Sequence, residues 1–257
     1  MILAIDVGNS NIVLGCIEAG EILFEARMAT DRIKTPDQYC AELKNILSLF
    51  DVVPAEVEGS ILSSVVPPVQ QVLVSAVERL TGKPCLTVGP GLRTGLNIKI
   101  DNPAQAGSDL IVGAVAAIEA YGAPLCVVDL GTATTISVID RDGVFRGGSI
   151  APGVMLSLNA LSGGTAQLPA ISLETPRRAI GTNTVDSMRS GLLLGAAAML
   201  DGMVERIEDE LGYPTRVVAT GGLARFIVPL CRREMTVDDK LLLKGLDLLY
   251  RKNTQRR

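Results

Sequence analysis

The sequence predicts an α/β protein made of two halves related by internal duplication, with mixed sheets covered by helices. Three observations support this fold class. One strand–turn–strand pattern occurs twice, apolar strands alternate with helical stretches, and 257 residues are enough for two cores. Because 47% of the residues are hydrophobic but only 3% are aromatic, Ile, Leu, Val and Ala must fill those cores, as they do in sheets covered by helices.

The repeat consists of an apolar strand, an Asp-x-Gly turn, a second strand and a hairpin turn. Its first copy runs from Ile2 to Gly20 and its second from Leu125 to Gly143, at a constant offset of 123 residues. The coinciding residues are Asp6 with Asp129, Gly8 with Gly131, and Gly20 with Gly143. Glycine at such a turn is typical of a β-hairpin. The duplication predicts an N-terminal domain at residues 1–117 and a C-terminal domain at 118–257.

The segments after each hairpin complete the α/β pattern. Apolar residues at helical spacing predict a helix at 37–50, and the segments 69–80, 110–121 and 185–211 are also predicted as helices, the last two being long and rich in alanine. Short apolar runs predict strands at 60–66 and 217–220. Pro67-Pro68 ends the first of these strands, and Gly221-Gly222 ends the second. The basic residues Arg251, Lys252, Arg256 and Arg257 are interpreted as the solvated end of a helix.

Composition excludes several classes of function. A net charge of −4 disfavours nucleic-acid binding, because neutralising phosphates requires an excess of Lys and Arg. The chain has no histidine, which excludes Ser-His-Asp hydrolases, Cys-His proteases and His-ligated metal enzymes. Five scattered cysteines without a C-x-x-C spacing indicate a reducing compartment, and the N-terminus lacks the basic region of a signal peptide. We therefore expect a cytoplasmic protein that binds neither nucleic acid nor membrane.

The first Asp-x-Gly turn, Asp6-Val7-Gly8-Asn9-Ser10, has the composition of a phosphate-binding loop. Glycine lets the backbone approach a phosphate closely, and the turn amides can donate to its oxygens together with Asn9 and Ser10. Because the carboxylate of Asp6 repels phosphate, its expected partner is a hydrated Mg²⁺ carried by a nucleotide. An Asx turn that only caps a hairpin is an equally good explanation when this segment is taken alone.

The second turn, Asp129-Leu130-Gly131-Thr132, favours the phosphate interpretation, because paired hairpins in related halves can hold phosphate oxygens from two sides. Thr220-Gly221-Gly222 adds a glycine pair at a strand end, which leaves room for adenine or ribose against bare backbone. Taken singly, each segment is also a common turn. The sequence G-x-x-x-x-G-K-[ST] is absent, which disfavours P-loop kinases.

Three other segments carry weaker signals. A tight turn adequately explains either of the glycine-bearing loops at Gly147–Gly153 and Gly181–Thr184. Asp109 is the last residue of the segment Asn102–Asp109 and precedes a long apolar helix. As an alternative to a chemical role, Asp109 can cap this helix or interact with its dipole.

In order along the chain, the motifs D-x-G-N-S, N-P-x-x-x-G-x-D, D-x-G-T-A-T-T, G-G-x-I-x-P-G, L-P, G-x-N-T and T-G-G resemble type III pantothenate kinase. This family includes the Bvg accessory factor homologues, and the resemblance extends from Met1 to Leu246. It implies two ribonuclease-H-like domains of the actin-like ATPase (ASKHA) class. It also implies ATP-dependent phosphorylation of pantothenate to 4′-phosphopantothenate, the first step of coenzyme A biosynthesis. Mg²⁺, a monovalent cation (K⁺ or NH₄⁺) and a homodimer are further implications.

The resemblance also implies a role for individual residues. The ATP site it implies is Asp6, Val7, Gly8, Asn9, Ser10, Asn11, Ile12, Val13 and Thr132, with Asp6 reaching Mg²⁺ through the nucleotide. Asp129 would hold the monovalent cation. The residues that would line the pantothenate pocket are Gly107, Ser108, Asp109, Leu110 and Thr184. Asp109 would be the general base for the primary hydroxyl of the substrate, a role that suits phosphoryl transfer in a chain without histidine.

The substrate segment departs from the usual family motif, a tyrosine followed closely by N-P-x-E-V-G-A-D-R. The departures are Ile100 and Asp101 before Asn102, then Gln105, Ala106, Ser108 and Leu110. Leu110 in place of arginine removes a cation beside the expected base. Two alternatives stay open: a kinase for another small primary alcohol, and a weakly active nucleotide-binding accessory or regulatory protein. Retention of Asp6, Asp109 and Asp129 speaks against the accessory protein, which needs no base.

Overall fold

The computed structural model describes residues 1–254, which form two compact units. Unit one comprises Met1–Leu96, Asp101–Glu119 and the chain from Lys240 onward, and unit two comprises Asn97–Ile100 and Ala120–Asp239. Unit one has a five-stranded sheet and unit two a six-stranded sheet. Each sheet mixes parallel and antiparallel strands, so the predicted α/β class is confirmed.

The sheet of unit one is centred on β1 (Ile2–Val7), whose residues are all buried. The other strands are β2 (Asn11–Glu18), β3 (Glu21–Ala29), β4 (Gly59–Ser64) and β5 (Cys85–Thr87), in the order β3–β2–β1–β4–β5. The first three strands are antiparallel, whereas β4 and β5 run parallel to β1. The carboxyl ends of β1 and β4 therefore lie at one edge of the sheet, where Asp6 pairs with Ser63 and Val7 with Ser64.

Helices cover both faces of this sheet. They are α1 (Pro36–Leu49), α2 (Pro67–Thr81), α3 (Ser108–Tyr121) and the final helix of the described chain, α8 (Leu241–Thr254). Leu43 of α1 and Leu73 of α2 join the core on one face, and Val112 of α3 and Leu246 of α8 join the core on the other. Local sequence starts these helices as expected, since a capping box at Thr35 precedes α1 and prolines open α2.

The sheet of unit two is centred on β7 (Leu125–Leu130). Its other strands are β6 (Asn97–Ile98), β8 (Ala133–Ile139), β9 (Val144–Pro152), β10 (Arg216–Thr220) and β11 (Thr236–Val237), in the order β11–β10–β7–β8–β9–β6. The helices are α4 (Val154–Gly164), α5 (Thr184–Arg189), α6 (Gly195–Leu211) and α7 (Ala224–Ile227). A π-helical turn, Ser190–Leu194, joins α5 to α6. The stretch predicted as one helix at 185–211 is therefore helical throughout but irregular at these five residues.

The strand order of unit one recurs in unit two, so the predicted duplication is present in the fold. The strands β9, β8, β7, β10 and β11 take the places of β3, β2, β1, β4 and β5, and β6 is added at the edge. One difference lies in the first hairpin loop. Residues 8–11 separate the paired Val7 and Ile12, whereas residues 131–133 separate the paired Leu130 and Thr134. The constant sequence offset therefore applies to β1 and β7, but the second loop is one residue shorter.

The two compact units are not two consecutive segments of the chain. Leu241, Leu243 and Leu249 of α8 are buried, and the helix is grouped with unit one. The division into duplicated domains at 1–117 and 118–257 stays a prediction. The compact units differ from it mainly because α8 is grouped with unit one. Arg251 and Lys252 lie in the last turn of α8, and Arg256 and Arg257 fall outside the described residues. Within residues 1–254, no helix has the length and apolar character needed to cross a membrane.

Candidate active site

The first hairpin loop follows directly from the carboxyl end of β1. Asp6 lies just before the loop and is only 8% exposed. The backbone N–H of Gly8 donates to the carbonyl oxygen of Asn11 across 2.9 Å, which closes the loop. The side chains of Asn9, Ser10 and Asn11 are exposed in this loop.

Two residues that follow β3 support this loop, and sequence reasoning missed both. The backbone N–H of Thr30 donates to the carbonyl oxygen of Ser10 across 3.0 Å, and its hydroxyl donates to that of Gly8 across 2.7 Å. The guanidinium of Arg32 donates to the side-chain oxygen of Asn9 across 3.1 Å, which places a cation beside the loop. The repeat contained a signal for Thr30, because the offset of 123 residues relates it to Gly153, which has the same function in unit two.

The second hairpin loop is built in the same way. The N–H of Gly131 donates to the carbonyl oxygen of Ala133 across 3.0 Å, and the N–H of Gly153 donates to that of Thr132 across 3.1 Å. A Cβ on Gly153 would lie 2.4 Å from the carbonyl oxygens of both Gly131 and Thr132. Only glycine therefore lets the end of β9 approach this loop. The side chain of Thr132 is exposed at the loop tip.

Asp129 lies at the carboxyl end of β7 between two threonines. It pairs with Thr135 of β8 on one side and with Thr220 of β10 on the other. Residues that face each other across strands in register have side chains on the same face of the sheet. The hydroxyl of Thr135 is buried without a hydrogen-bond partner among the described residues, an uncommon situation for a buried polar atom.

The predicted glycine turn after β10 is adjacent to Asp129. Gly221 has a φ of +93°, and a Cβ there would lie 2.4 Å from a carboxylate oxygen of Asp129. The backbone N–H of Leu223 donates to the carbonyl oxygen of Leu130 across 3.3 Å. Both a left-handed backbone and close packing against β7 therefore require glycine at this turn.

The segment that carries the expected base begins α3. The hydroxyl of Ser108 bonds to β4: it donates to the carbonyl oxygen of Ser64 across 3.0 Å and accepts from the N–H of Ser64 across 3.1 Å. It also accepts a hydrogen bond of 3.0 Å from the hydroxyl of Ser63. Because Ser63 pairs with Asp6, these contacts bring Asp6 and the start of α3 to the same edge of the sheet. Sequence reasoning gave no role to Ser63 or Ser64.

The carboxylate of Asp109 folds back over the first turn of α3. One of its oxygens accepts the N–H of Leu110 across 2.8 Å, and a Cβ on Gly107 would lie 2.5 Å from that oxygen. Burial raises the pKa of this carboxyl above its ordinary value of 3.8, although the backbone N–H groups of Leu110 and Asp109 act in the opposite direction. Asp109 therefore does interact with the helix N-terminus, but burial makes it a stronger base than an exposed aspartate.

Thr184 lies in unit two, as the first residue of α5. The side chain of the preceding Asn183 caps this helix by accepting the N–H of Asp186 across 2.9 Å. Thr184 lines a mostly apolar pocket of about 430 Å³, together with Leu161, Leu168, Ser187, Met188, Gly191 and Leu192. A Cβ on Gly181 would lie 2.3 Å from the backbone nitrogen of Ser187, so the glycine lets this loop pack against α5.

Comparison with known sequences shows the family of the chain. A family model for type III pantothenate kinase matches residues 2–206. A relative of that name from Listeria monocytogenes serotype 4a is 45% identical over 253 residues, which cover 98% of each chain. Another relative of that name, from Brevibacillus brevis, is 46% identical over 257 residues and covers 98% of this chain and 99% of its own.

Solved structures show the same fold at lower identity. A protein described as a Baf family transcriptional activator from Campylobacter jejuni has a TM-score of 0.63 at 17% identity and covers 98% of each chain. A protein described as a 2-dehydro-3-deoxygalactonokinase from Sinorhizobium meliloti has a TM-score of 0.61 at 16% identity, covering 100% of this chain and 98% of its own. At such identities the likeness concerns the fold alone.

The recurring strand order and these structural neighbours show the actin-like fold of two related α/β units with mixed sheets, as the sequence predicts. Among proteins of this fold, the chain belongs to the type III pantothenate kinase family.

Proposed function

We propose that this protein is a kinase that transfers the γ-phosphoryl group of ATP to the primary hydroxyl of pantothenate, the first step of coenzyme A biosynthesis. Relatives named type III pantothenate kinase match the chain over nearly its whole length. The observation that carries the proposal is the placement of Asp109. A partly buried carboxylate with a raised pKa lies in the first turn of α3, at the same sheet edge as Asp6 and the first hairpin loop.

In this proposal each of the two hairpin loops is a phosphate-binding loop. The segment Asp6–Val13 offers backbone amides with the exposed side chains of Asn9 and Ser10, and Thr132 offers a hydroxyl from the second loop. Arg32, held at Asn9, adds positive charge beside the first loop. Glycine and small polar residues in such a loop leave backbone N–H groups accessible to an anion.

Asp6 suits a magnesium ion that arrives with the nucleotide. Within residues 1–254, no three His, Cys, Asp or Glu side chains are grouped as a metal cage, and Mg²⁺ is usually held by one or two carboxylates, waters and substrate phosphates. Asp6 is buried at the strand end and provides such a carboxylate. When bound, Mg²⁺ neutralises negative charge on the β- and γ-phosphate oxygens.

Asp109 acts as the general base. It accepts the proton of the primary hydroxyl while the substrate oxygen forms its bond to the γ-phosphorus. At the same time the bond from that phosphorus to the bridging oxygen breaks, so the products are the phosphorylated alcohol, ADP and a protonated Asp109. Burial supports this role, because a base works best when its pKa is raised towards the working pH.

Asp129 and Thr135 suit a monovalent cation such as K⁺ or NH₄⁺. A carboxylate and a hydroxyl are hard oxygen ligands, and the buried hydroxyl of Thr135 has hydrogen-bonding capacity that no described residue uses. A bound cation supplies positive charge that attracts phosphate oxygens.

Thermal unfolding in K⁺ and in Na⁺ tests this assignment without an activity measurement. K⁺ should stabilise the wild type by mass action, and Thr135→Val should lose that increment while folding normally in Na⁺, since valine matches threonine in shape. Thr87→Val, at the exposed last residue of β5, is the control. An equal response to K⁺ in all three proteins contradicts the assignment.

We propose Gly107–Leu110 of unit one as substrate-binding residues, and Thr184 of unit two as a further one. We also propose a cytoplasmic homodimer that binds neither nucleic acid nor membrane. Large apolar side chains are exposed at the end of β9 and along α4, a pattern typical of an interface: Ile150 at 76%, Met155 at 45%, Leu156 at 48% and Leu161 at 36%. Light scattering should give about 54 kDa, twice the chain mass of 27.1 kDa. A mass of one chain at micromolar concentration contradicts the dimer.

A second candidate function is a kinase for a less polar primary alcohol. Leu110 favours it, because a half-buried apolar side chain lies beside Asp109 where the resembled family has arginine. A substrate with fewer polar groups would bind better against leucine than against a cation.

One assay separates these functions. ADP release is measured with Mg²⁺ and K⁺ present, without acceptor, with pantothenate, and with a series of other primary alcohols, and the product is identified by mass spectrometry. Pantothenate-dependent release of ADP with formation of phosphopantothenate supports the main proposal. Release of ADP with another alcohol but not with pantothenate supports the second candidate. Absence of ADP release with every alcohol tested supports the accessory protein. Asp109→Asn is the control with strongly reduced turnover.

A further inference from the structure

We propose that Ser108 is a positioning residue, whose hydroxyl fastens the first turn of α3 to the end of β4 and so sets the location of the Asp109 carboxylate. The inference rests on the proposed function in one respect, which is that Asp109 is the base. It assigns to Ser108 a role different from lining the substrate pocket.

The hydroxyl of Ser108 uses all of its hydrogen-bonding capacity. A hydroxyl can donate one hydrogen bond and accept two. Ser108 donates to the carbonyl oxygen of Ser64 across 3.0 Å and accepts from the N–H of Ser64 across 3.1 Å and from the hydroxyl of Ser63 across 3.0 Å. No position is left for a substrate, and all three partners belong to β4.

The partners of this hydroxyl are themselves well held. Ser63 is fully buried and pairs with Asp6 on the central strand. The hydroxyl of Ser64 is tied to Val66, from whose N–H it accepts across 3.0 Å. The backbone N–H of Val65 donates to the carbonyl oxygen of Val7 across 3.1 Å. Ser108 is thereby connected, through β4, to the strand that leads into the first hairpin loop.

Other contacts of this segment cannot replace the serine. The bond from the N–H of Leu110 to Asp109 orients the carboxylate relative to α3, but it does not orient α3 relative to the sheet. Val112 packs into the core only from the second turn onward. The first turn follows the irregular segment 99–107, which includes a 3-10 turn at Pro103–Gln105. The three hydrogen bonds of the Ser108 hydroxyl therefore hold the first turn beside the strand end.

The test compares four variants in the ADP-release assay. Ser108→Ala should lower kcat by roughly 10- to 100-fold, because a displacement of about 1 Å in a reacting group has that effect. The KM for ATP should stay within about twofold, since no ATP contact is removed. Ser63→Ala, which removes one of the three bonds, should show a smaller loss of kcat in the same direction. Ser108→Thr, which keeps the hydroxyl, should have a kcat close to that of the wild type. Ser48→Ala, which removes a 2.9 Å hydrogen bond within α1, is the control and should leave kcat unchanged.

Amide hydrogen exchange provides a readout that does not depend on the reaction. In Ser108→Ala the N–H of Ser64 and the first turn of α3 should exchange at least tenfold faster than in the wild type, with α1 unaffected. If the wild type releases no ADP with any alcohol, the proposed function fails while this measurement still tests the positioning role. Unchanged exchange overturns the inference.

Two kinetic outcomes also overturn it. The first is a kcat of Ser108→Ala equal to that of the wild type. The second is a raised KM for pantothenate at unchanged kcat, which would make Ser108 a substrate contact. If Ser108→Ala does not fold, Ser63→Ala replaces it in both tests. Its loss of kcat and its increase in amide exchange should be in the same direction but smaller, because two of the three hydrogen bonds remain.

Discussion

Replacing Gly107 by alanine should reduce turnover without reducing stability. A Cβ at this position would lie 2.5 Å from the carboxylate oxygen of Asp109, whereas ordinary contact begins at 3.4 Å. The backbone φ of Gly107 lies outside the left-handed region, so alanine adds no backbone strain. The atom that the new Cβ would meet is a carboxylate oxygen at the end of the Asp109 side chain, which can rotate. We therefore expect the carboxylate, and not the backbone, to move, by about 0.9 Å.

The size of the effect follows from that displacement. Moving a catalytic group by about 1 Å lowers the rate by up to roughly 100-fold, or about 2.7 kcal/mol of transition-state stabilisation. We expect Gly107→Ala to lower kcat by 10- to 100-fold. The free energy of unfolding should stay the same or rise by about 0.4–1 kcal/mol, because alanine restricts the unfolded chain.

The measurements are steady-state ADP release with pantothenate and urea unfolding, each compared with a matched control. Gly89→Ala is that control, since Gly89 also lies in unit one and a Cβ there meets no atom within 4 Å. It should keep the wild-type kcat. A Gly107→Ala protein with wild-type kcat, or one that loses several kcal/mol of stability, would refute the reasoning, because either result means that the carboxylate is not what moves.

Asp109→Asn should lower kcat by about 10²–10⁴-fold. Burial raises the pKa of the native Asp109 carboxyl, so ionisation of this group lowers the stability of the wild type. In urea unfolding, Asp109→Asn should be as stable as the wild type below about pH 3.8 and more stable once the pH exceeds the raised pKa. The opposite trend with pH contradicts this prediction. Leu110→Arg should lower the KM for pantothenate by roughly tenfold to a hundredfold, because a hydrogen bond to a charged group contributes about 1.5–3 kcal/mol. An equal or higher KM in the same kinetics counts against a pantothenate site. Gly153→Ala should cost about 1–3 kcal/mol in urea unfolding and raise the KM for ATP, since its Cβ meets backbone oxygens of Gly131 and Thr132 that cannot rotate away; unchanged values would show that the loop adapts.

Local sequence determined the elements around the site. The strand β1 and its copy β7 were predicted because a run of apolar residues ending in Asp-x-Gly is a local pattern. The helix α2 was predicted because Pro67-Pro68 marks its start, and α6 because it lies in a long stretch rich in alanine. These features depend on neighbours within a few residues, so they can be read without knowledge of the fold.

The repeat determined more than its elements, because it related two distant segments. Asp6 with Asp129 and Gly8 with Gly131 could be paired from the sequence, and the fold places both pairs at the carboxyl ends of central strands. The repeat did not reveal that the second loop is one residue shorter, since a compensating change in the next turn restores the offset at Gly143. Thr30 and Gly153 were likewise related by the offset, but nothing local showed that they support the loops.

Contacts between distant segments could only come from the tertiary structure. Ser63 and Ser64 were read simply as the end of a strand, and Ser108 as part of a motif, yet 44 residues separate Ser64 and Ser108 along the chain. The raised pKa of Asp109 depends on what buries it, and the buried hydroxyl of Thr135 depends on how two strands pair. The sequence by itself determined the fold class, the duplication and the family, because these lie in local patterns and their order. Only the tertiary structure decided which side chain holds the base in place, because hydrogen bonding and burial depend on distances in space and not on separation along the chain.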